Sequence, residues 1–349
     1  MDLFNDLHEV QQAMATTIAG DRHYSVTDTS VVFLAKRAGR AGCVSALLRA
    51  LIRHSNNPGC VVVSCMALSS INFRYRQNIA ALIRADGLTT VLQIMTKHMS
   101  NATIIEYAMP LLSQMVIEDD SMFETAASAG AILVVGKVLH AHASGIYGFN
   151  FDFGWGSSCL IYKVICAVRY LTNLGYCEEN VDSVVTAGII EVTRILASRN
   201  EEDSNCQHQA FALFSELVRG RVSAAAPFFK AEGLTVIVRG MVAHVTCPEV
   251  QEFGCRALLS LSLVGHTFEN EVSGVVKAIA AGMRANRDSE EVQNSALNAL
   301  NYILDGDAEA KRVARENGVE FLVRVARTKY GHAVQGLISV CDEIFELVH

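Results

Sequence analysis

Proline is nearly missing from this chain, at four of 349 residues, and no Pro/Ser/Gly-rich stretch divides it. That excludes the usual composition of an interdomain linker. Aromatic residues are sparse at 7%, while apolar residues reach 51%. An interior must therefore be filled by Ala, Val, Leu and Ile. The ten cysteines include no CxxC pair, which argues against a small disulfide scaffold and against common zinc modules. Their scatter through apolar segments reads as free buried thiols in a reducing compartment, so the cytoplasm is the expected location, with the cilium or nucleus as alternatives.

Long apolar runs are missing too. The longest candidate, near Cys60–Leu68, falls far short of the roughly 20 residues of a membrane-spanning helix. The opening Met1-Asp2-Leu3-Phe4-Asn5-Asp6 is acidic, unlike a secretory leader, and Asp2 stands where N-myristoylation needs glycine. No phosphate loop, dinucleotide fingerprint, HExxH or GxSxG motif occurs. His140-x-His142 with Cys159 and Cys166 follows no standard zinc spacing. No enzymatic activity, metal or cofactor is expected.

What the chain has in abundance is a repeated phrase. Glycines that open apolar helical stretches stand at Gly42, Gly87, Gly130, Gly188, Gly233, Gly274 and Gly318, separated by 45, 43, 58, 45, 41 and 44 residues. Five of these gaps fall within the roughly 40–47 residues of armadillo or HEAT units, and the long one marks an insertion. After each glycine the apolar spacing is helical, as in Val44, Leu47, Leu48, Leu51 and in Leu88, Val91, Leu92, Met95. A short first helix has to turn sharply into a second, and glycine reaches the positive φ of such a junction without a Cβ clash. A further helix carries its own start signals. Thr246 with Glu249 and Asp288 with Glu291 read as capping boxes, the first with Pro248 in the opening turn.

The segments 250–262 (VQEFGCRALLSLS) and 292–304 (VQNSALNALNYIL) resemble the third-helix consensus of the armadillo family, of which β-catenin and importin-α are members. With the glycine-led second helices the resemblance covers residues 28–349, leaving armadillo and HEAT geometry both open for the first three units. It implies an all-α, right-handed α-solenoid of about seven armadillo-like three-helix repeats with helical caps and one aromatic loop insertion. Residues 1–27, with a stripe of Leu3, Leu7, Val10 and Met14, are expected as an N-terminal capping helix. Residues 28–349 form a single repeat domain with the insertion loop at 142–158, and its last helix runs from about Val334 to Leu347.

The resemblance also implies that third helices line a groove that holds extended peptides. Importin-α carries a Trp–Asn array there. Here the Asn positions hold Ser70, Gln114, Asn173, Glu216, Ser260 and Tyr302, and the Trp positions hold Met66, Pro110, Arg169, Ala212, Arg256 and Asn298. One Asn matches and no Trp does, so recognition of the importin kind is not expected. Arg169, Asn173, Arg256, Ser260, Asn298 and Tyr302 are the candidate partner-binding set. Two departures from the periodicity join them. In the insertion, Tyr147, Phe149, Phe151, Phe153 and Trp155 alternate with Gly, Asn and Asp, an extended pattern suited either to packing on the solenoid or to contacting a partner. Between Asp28 and Asp86 no acidic residue occurs, and Arg49, Arg53, Arg74 and Arg76 belong to a basic end on a chain of net charge −7.

These features point to a non-enzymatic protein–protein interaction scaffold that binds an extended peptide or helix in the groove. A transport adaptor or chaperone-like client binder is the alternative. The expected partner is another protein, with an acidic or phosphorylated segment suited to the basic end. Nucleic acid is disfavoured by the acidic remainder.

Overall fold

The computed structural model describes residues 29–72, 75–117, 121–143, 178–219, 228, 232–265, 268, 271–334 and 336–348. Among them the regular structure is helical, with no strand. The chain divides into two compact units, Met1–Asp152 with Cys166–Leu174, and Phe153–Ile165 with Gly175–His349. The N-terminal 27 residues lie outside the described residues. Helix α8 continues to Ala143, so the first two residues assigned to the insertion are helical, and the rest of that loop lies outside the described set.

In the first unit the described helices are α1 (Thr29–Arg40), α2 (Cys43–Arg53), α3 (Pro58–Asn72), α4 (Arg76–Arg84), α5 (Gly87–Lys97), α6 (Ala102–Ile117), α7 (Ser121–Ser128) and α8 (Ala131–Ala143). The second unit holds α9 (Glu178–Thr186), α10 (Ile189–Arg199), α11 (Ser204–Val218), α12 (Gly233–Ala243), α13 (Pro248–Leu263), α14 (Val272–Ala285), α15 (Glu290–Leu304), α16 (Ala308–Glu316), α17 (Val319–Tyr330) and α18 (Leu337–Val348). The triplets α4–α5–α6, α9–α10–α11 and α16–α17–α18 show the expected unit of first, second and third helix. Third helices pack side by side, α3 on α6 in the first unit and α11, α13, α15 and α18 in succession in the second.

The register of the repeat is set by one left-handed residue before each second helix. It is Gly42 (φ 76°), Asp86 (φ 60°), Gly130 (φ 81°), Gly188 (φ 67°), Glu232 (φ 57°) and Gly318 (φ 64°). At two junctions, then, the positive φ belongs to an acidic residue and the following glycine is already helical. The reason for glycine there is space. A Cβ on Gly233 would lie 2.3 Å from the Phe228 ring, and one on Gly87 would lie 2.6 Å from Leu82. Gly42 and Gly318 instead have nothing within 4 Å of such a Cβ, so their requirement is conformational.

Gly274 departs from the expectation. It lies inside the continuous 14-residue helix α14, its φ is not left-handed, and a Cβ would come no nearer than 3.8 Å to Val238. The chain enters the helix directly after Glu271 at φ −96°, ψ −9°, which removes the sharp turn that glycine would serve.

Both expected capping boxes shift by one residue. Helix α13 is preceded by Cys247 in extended conformation, without a side-chain cap, and Pro248 fills the first turn. Helix α15 is capped by Ser289, whose Oγ accepts from Val292 N at 3.3 Å. Asp288 is drawn away to an ion pair with Lys329 of the following repeat.

In the second unit, glutamine near the start of three third helices, α11, α13 and α15, ties each to its own second helix. Gln207, Gln251 and Gln293 are buried, and each Nε2 donates to two carbonyls at the end of the preceding second helix. The acceptors are Ala197 and Asn200 (2.8 and 3.0 Å), Met241 and His244 (2.8 and 3.0 Å), and Met283 and Asn286 (both 3.0 Å). One amide thus adds a donor to two helix-end carbonyls, and the outer three, at Asn200, His244 and Asn286, also accept from the backbone of the turn that follows. Adjacent repeats are then joined at the same end. His98 donates through Nε2 to Ser55 O at 2.7 Å, His244 to Glu201 O at 2.6 Å, Asn286 to Val245 O at 2.7 Å, and Tyr330 to Arg287 O at 3.0 Å. A carbonyl can only accept, so both histidines carry a proton on Nε2.

Candidate functional site

The third helices bury their apolar stripe in packing, and their remaining faces are mostly polar. On α13 one face carries Glu249, Glu252 with Phe253, Arg256, the buried Ser260 and Leu263. On α15 the matching stripe is Glu291, Asn294, Asn298, Tyr302 and then Asp305 just past the helix end. Positions three, four and seven apart share a helix face.

Arg256 lies half-exposed on this face. Its guanidinium is 3.4 Å from Glu252 Oε1 and sits 5.1 Å from the centroid of the Phe253 ring. His208 of α11 stacks on the same ring at 6.0 Å with an interplanar angle of 24°. A cation, a π-face and an imidazole therefore bridge two repeats. Asn298 donates from Nδ2 to Asn294 O and Oδ1, at 2.8 and 3.0 Å. Tyr302 is 52% exposed, with no cation over its ring among the described residues.

Ser260 occupies a different environment from the rest of the candidate set. It is 5% exposed, and its hydroxyl lies 3.0 Å from both Ser215 O and Arg256 O. Its place is in the seam between α11 and α13. The matching Gln114 also reaches across a seam, to Ser69 O at 3.3 Å. Sequence reasoning assigned these positions to the groove by analogy and missed that a short hydroxyl at this height points to the neighbouring helix. Arg169 and Asn173 lie outside the described residues, as do Tyr147, Phe149, Phe151, Phe153, Trp155 and Arg74.

The remaining basic-end residues are placed on two helices of the first unit. Arg49 and Arg53 are exposed on α2, and Arg76 is exposed at the start of α4. Arg40 at the end of α1 and Arg84 at the end of α4 are exposed nearby in sequence.

Chemistry-bearing clusters are few. Among the described residues no three His, Cys, Asp or Glu side chains come together as a metal site would need. The described depressions are open and shallow. One of about 760 Å³ is lined by Arg315, Phe321 and Arg324, and one of about 680 Å³ is formed by the acidic turn Ser198–Ser204. No single described helix is long and apolar enough to cross a membrane. Burial pushes the thiols of Cys65, Cys206 and Cys255 up to about 12, so they persist as neutral packing groups.

The fold defined by these stacked three-helix units is the armadillo-like repeat fold, and comparison with solved structures agrees. An engineered protein is similar over 91% of this chain and 71% of its own, with a TM-score of 0.68 at 20% identity. A designed armadillo repeat protein is similar over 75% of this chain and 100% of its own, with a TM-score of 0.56 at 17% identity. A second designed armadillo repeat protein, solved in complex with the peptide (KR)4, is similar over 75% of this chain and 99% of its own, with a TM-score of 0.54 at 16% identity. No protein-family model and no curated protein matches the sequence.

Proposed function

We propose that this protein is a non-enzymatic scaffold that binds an extended segment or helix of another protein along its third helices. The observation that carries this reading is the stripe of α13 and α15. It presents Arg256, Asn298 and Tyr302 on stacked helices whose apolar faces are already buried. An interface hot spot needs aromatic and arginine groups on a preformed, rigid surface, and these elements supply them. The open shape of the described depressions supports binding over catalysis, since a reaction site needs enclosure and convergent titratable groups. The exposed Arg49 and Arg53 suit an acidic or phosphorylated segment of the partner. The buried neutral thiols suit a reducing compartment such as the cytoplasm.

The test is affinity capture from cell extract by the wild-type chain and by Arg256→Glu/Tyr302→Ala. Loss of a defined set of partners by the variant, with an unchanged thermal melt, is the expected result. An identical partner set would remove the third-helix face from consideration. The alternative, a transport adaptor or client chaperone, predicts that captured partners are numerous and unrelated.

A further inference from the structure

In the first unit, charge is kept off the third helix. Helix α3 contains no charged residue, while α1, α2 and α4 carry seven Lys or Arg and no carboxylate. Helices α1, α2 and α4 touch one another, and each packs on α3. The two first helices approach closely. Asn78 Nδ2 of α4 donates to Ala35 O of α1 at 2.9 Å, and a Cβ on Gly39 would collide with the same amide. What these three helices expose therefore lies on the side opposite to α3. Lys36, Arg40, Arg49, Arg53 and Arg84 make no ion pair among the described residues, and neither described depression includes them. Two exposed apolar side chains stand among the cations. Phe33 is 57% exposed, with the Arg37 guanidinium 6.0 Å from its ring centroid, and Ile52, 55% exposed, adjoins Arg53.

We propose that this face docks on an anionic lipid bilayer, with Phe33 and Ile52 entering the boundary between headgroups and acyl chains. The inference goes beyond the scaffold reading, because it uses the first and second helices and leaves the third helices open to a protein partner. Arg49 and Arg53 would also suit an acidic protein segment, and three observations favour the bilayer. The cations are dispersed over three helices, whereas a phosphorylated side chain is held by arginines that converge on it. No carboxylate is interleaved with them, although a peptide interface uses charges of both signs to fix its register. Exposed Phe33 and Ile52 offer nothing to a phosphate group but gain from burial at the acyl boundary. At an anionic surface each nearby Lys or Arg strengthens attachment by about fivefold, and the unpaired cations add along one face. The chain as a whole carries −7, so its acidic remainder is repelled and contact is confined to this end.

The experiment is flotation of the whole chain with vesicles of phosphatidylcholine and phosphatidylserine at a ratio of about 7:3, against pure phosphatidylcholine, in about 0.1 M salt. The wild-type protein is expected to float with the mixed vesicles alone and to be released at about 0.5 M salt, where surface charge is strongly screened. Arg40→Gln/Arg53→Gln should weaken attachment by about tenfold or more. The matched change Lys277→Gln/Arg287→Gln in the second unit should leave it unaltered. Phe33→Ser/Ile52→Ser should weaken it by about threefold or more. All six side chains are exposed, and thermal melts confirm that each variant folds. No flotation with mixed vesicles, flotation indifferent to lipid charge or to Phe33→Ser/Ile52→Ser, or equal loss in both charge variants overturns the inference. Fluorescence anisotropy with a soluble peptide of alternating phosphoserine and glycine tests the other occupant. Peptide binding that Arg40→Gln/Arg53→Gln abolishes, with vesicles unbound, would assign the face to a phosphorylated segment and overturn the bilayer. Arg256→Glu/Tyr302→Ala should float like the wild type, so failure of the third-helix reading is seen separately from failure of this one.

Discussion

Gln251 and Gly282 fit together only because one of them has no side chain. A Cβ on Gly282 would lie 2.3 Å from Gln251 Oε1, while Gln251 Nε2 is committed to Met241 and His244 in its own repeat. The Oε1 atom is buried without a hydrogen-bond donor, and it lies against the Cα of the following repeat's second helix. A weak Cα–H···O contact is what that geometry allows. Gln207 and Gly240 repeat the relationship, with a Cβ at 2.6 Å. The same glutamine thus closes one repeat and sets how near the next can approach.

Gly282→Ala should destabilise the second unit by about 1–3 kcal/mol through overpacking. Gln251→Ala should also destabilise, because Met241 O and His244 O each lose the hydrogen bond from the buried amide. Combining the two should cost less than the sum, since removing the glutamine makes room for the methyl. Chemical denaturation of the four proteins gives the coupling. Strict additivity would show that the contact does not limit the approach of the repeats.

Glu232 and Gly318 hold the same left-handed backbone and predict opposite signs. Glu232→Gly should stabilise by about 1 kcal/mol, because a non-glycine residue at φ 57° carries conformational strain. Gly318→Ala, with nothing within 4 Å of the new Cβ, should destabilise by a similar amount through backbone conformation alone. Thermal melts of the two variants make the comparison. A destabilised Glu232→Gly protein would mean that Glu232 contributes more than its backbone.

The bond from His244 Nε2 to Glu201 O couples the ends of two second helices. His244→Ala should cost about 1 kcal/mol and should raise amide exchange locally, at the turns following α10 and α12. Exchange that rises evenly over the second unit would assign His244 a global packing role.

The buried thiols predict an alkaline limit. For Cys65, Cys206 and Cys255 the folded pKa is about 12 against an ordinary 9.0. A raised pKa means the unfolded chain ionises first. Stability is therefore complete below pH 9 and falls as pH rises toward 12, by about 1.4 kcal/mol per pH unit for each thiol involved. Cys206→Ala should show a shallower decline when stability is followed from pH 8 to 11. Site-resolved alkylation of native protein at neutral pH should label the partly exposed Cys60 and Cys247 ahead of the buried Cys43, Cys65, Cys206, Cys255 and Cys341.

The sequence by itself determined the repeat and its helices. Positive-φ glycines, helical apolar spacing and the Val-Gln step at Val250-Gln251 and Val292-Gln293 are local signals, and each acts within about one turn of where it is written. Only the tertiary structure decided what those residues touch. It moved the left-handed position from Gly87 and Gly233 to Asp86 and Glu232, because Leu82 and Phe228 occupy the space beside the glycines. It ran α14 through Gly274, and it turned Ser260 into a seam at Ser215 while leaving Arg256 and Tyr302 outside. The partition of charge between α3 and the helices packed on it was likewise written in the sequence but not legible there. Neutralising partners such as Asp288 for Lys329 come from the neighbouring repeat, some forty residues away, and their pairing depends on which faces the packing brings together.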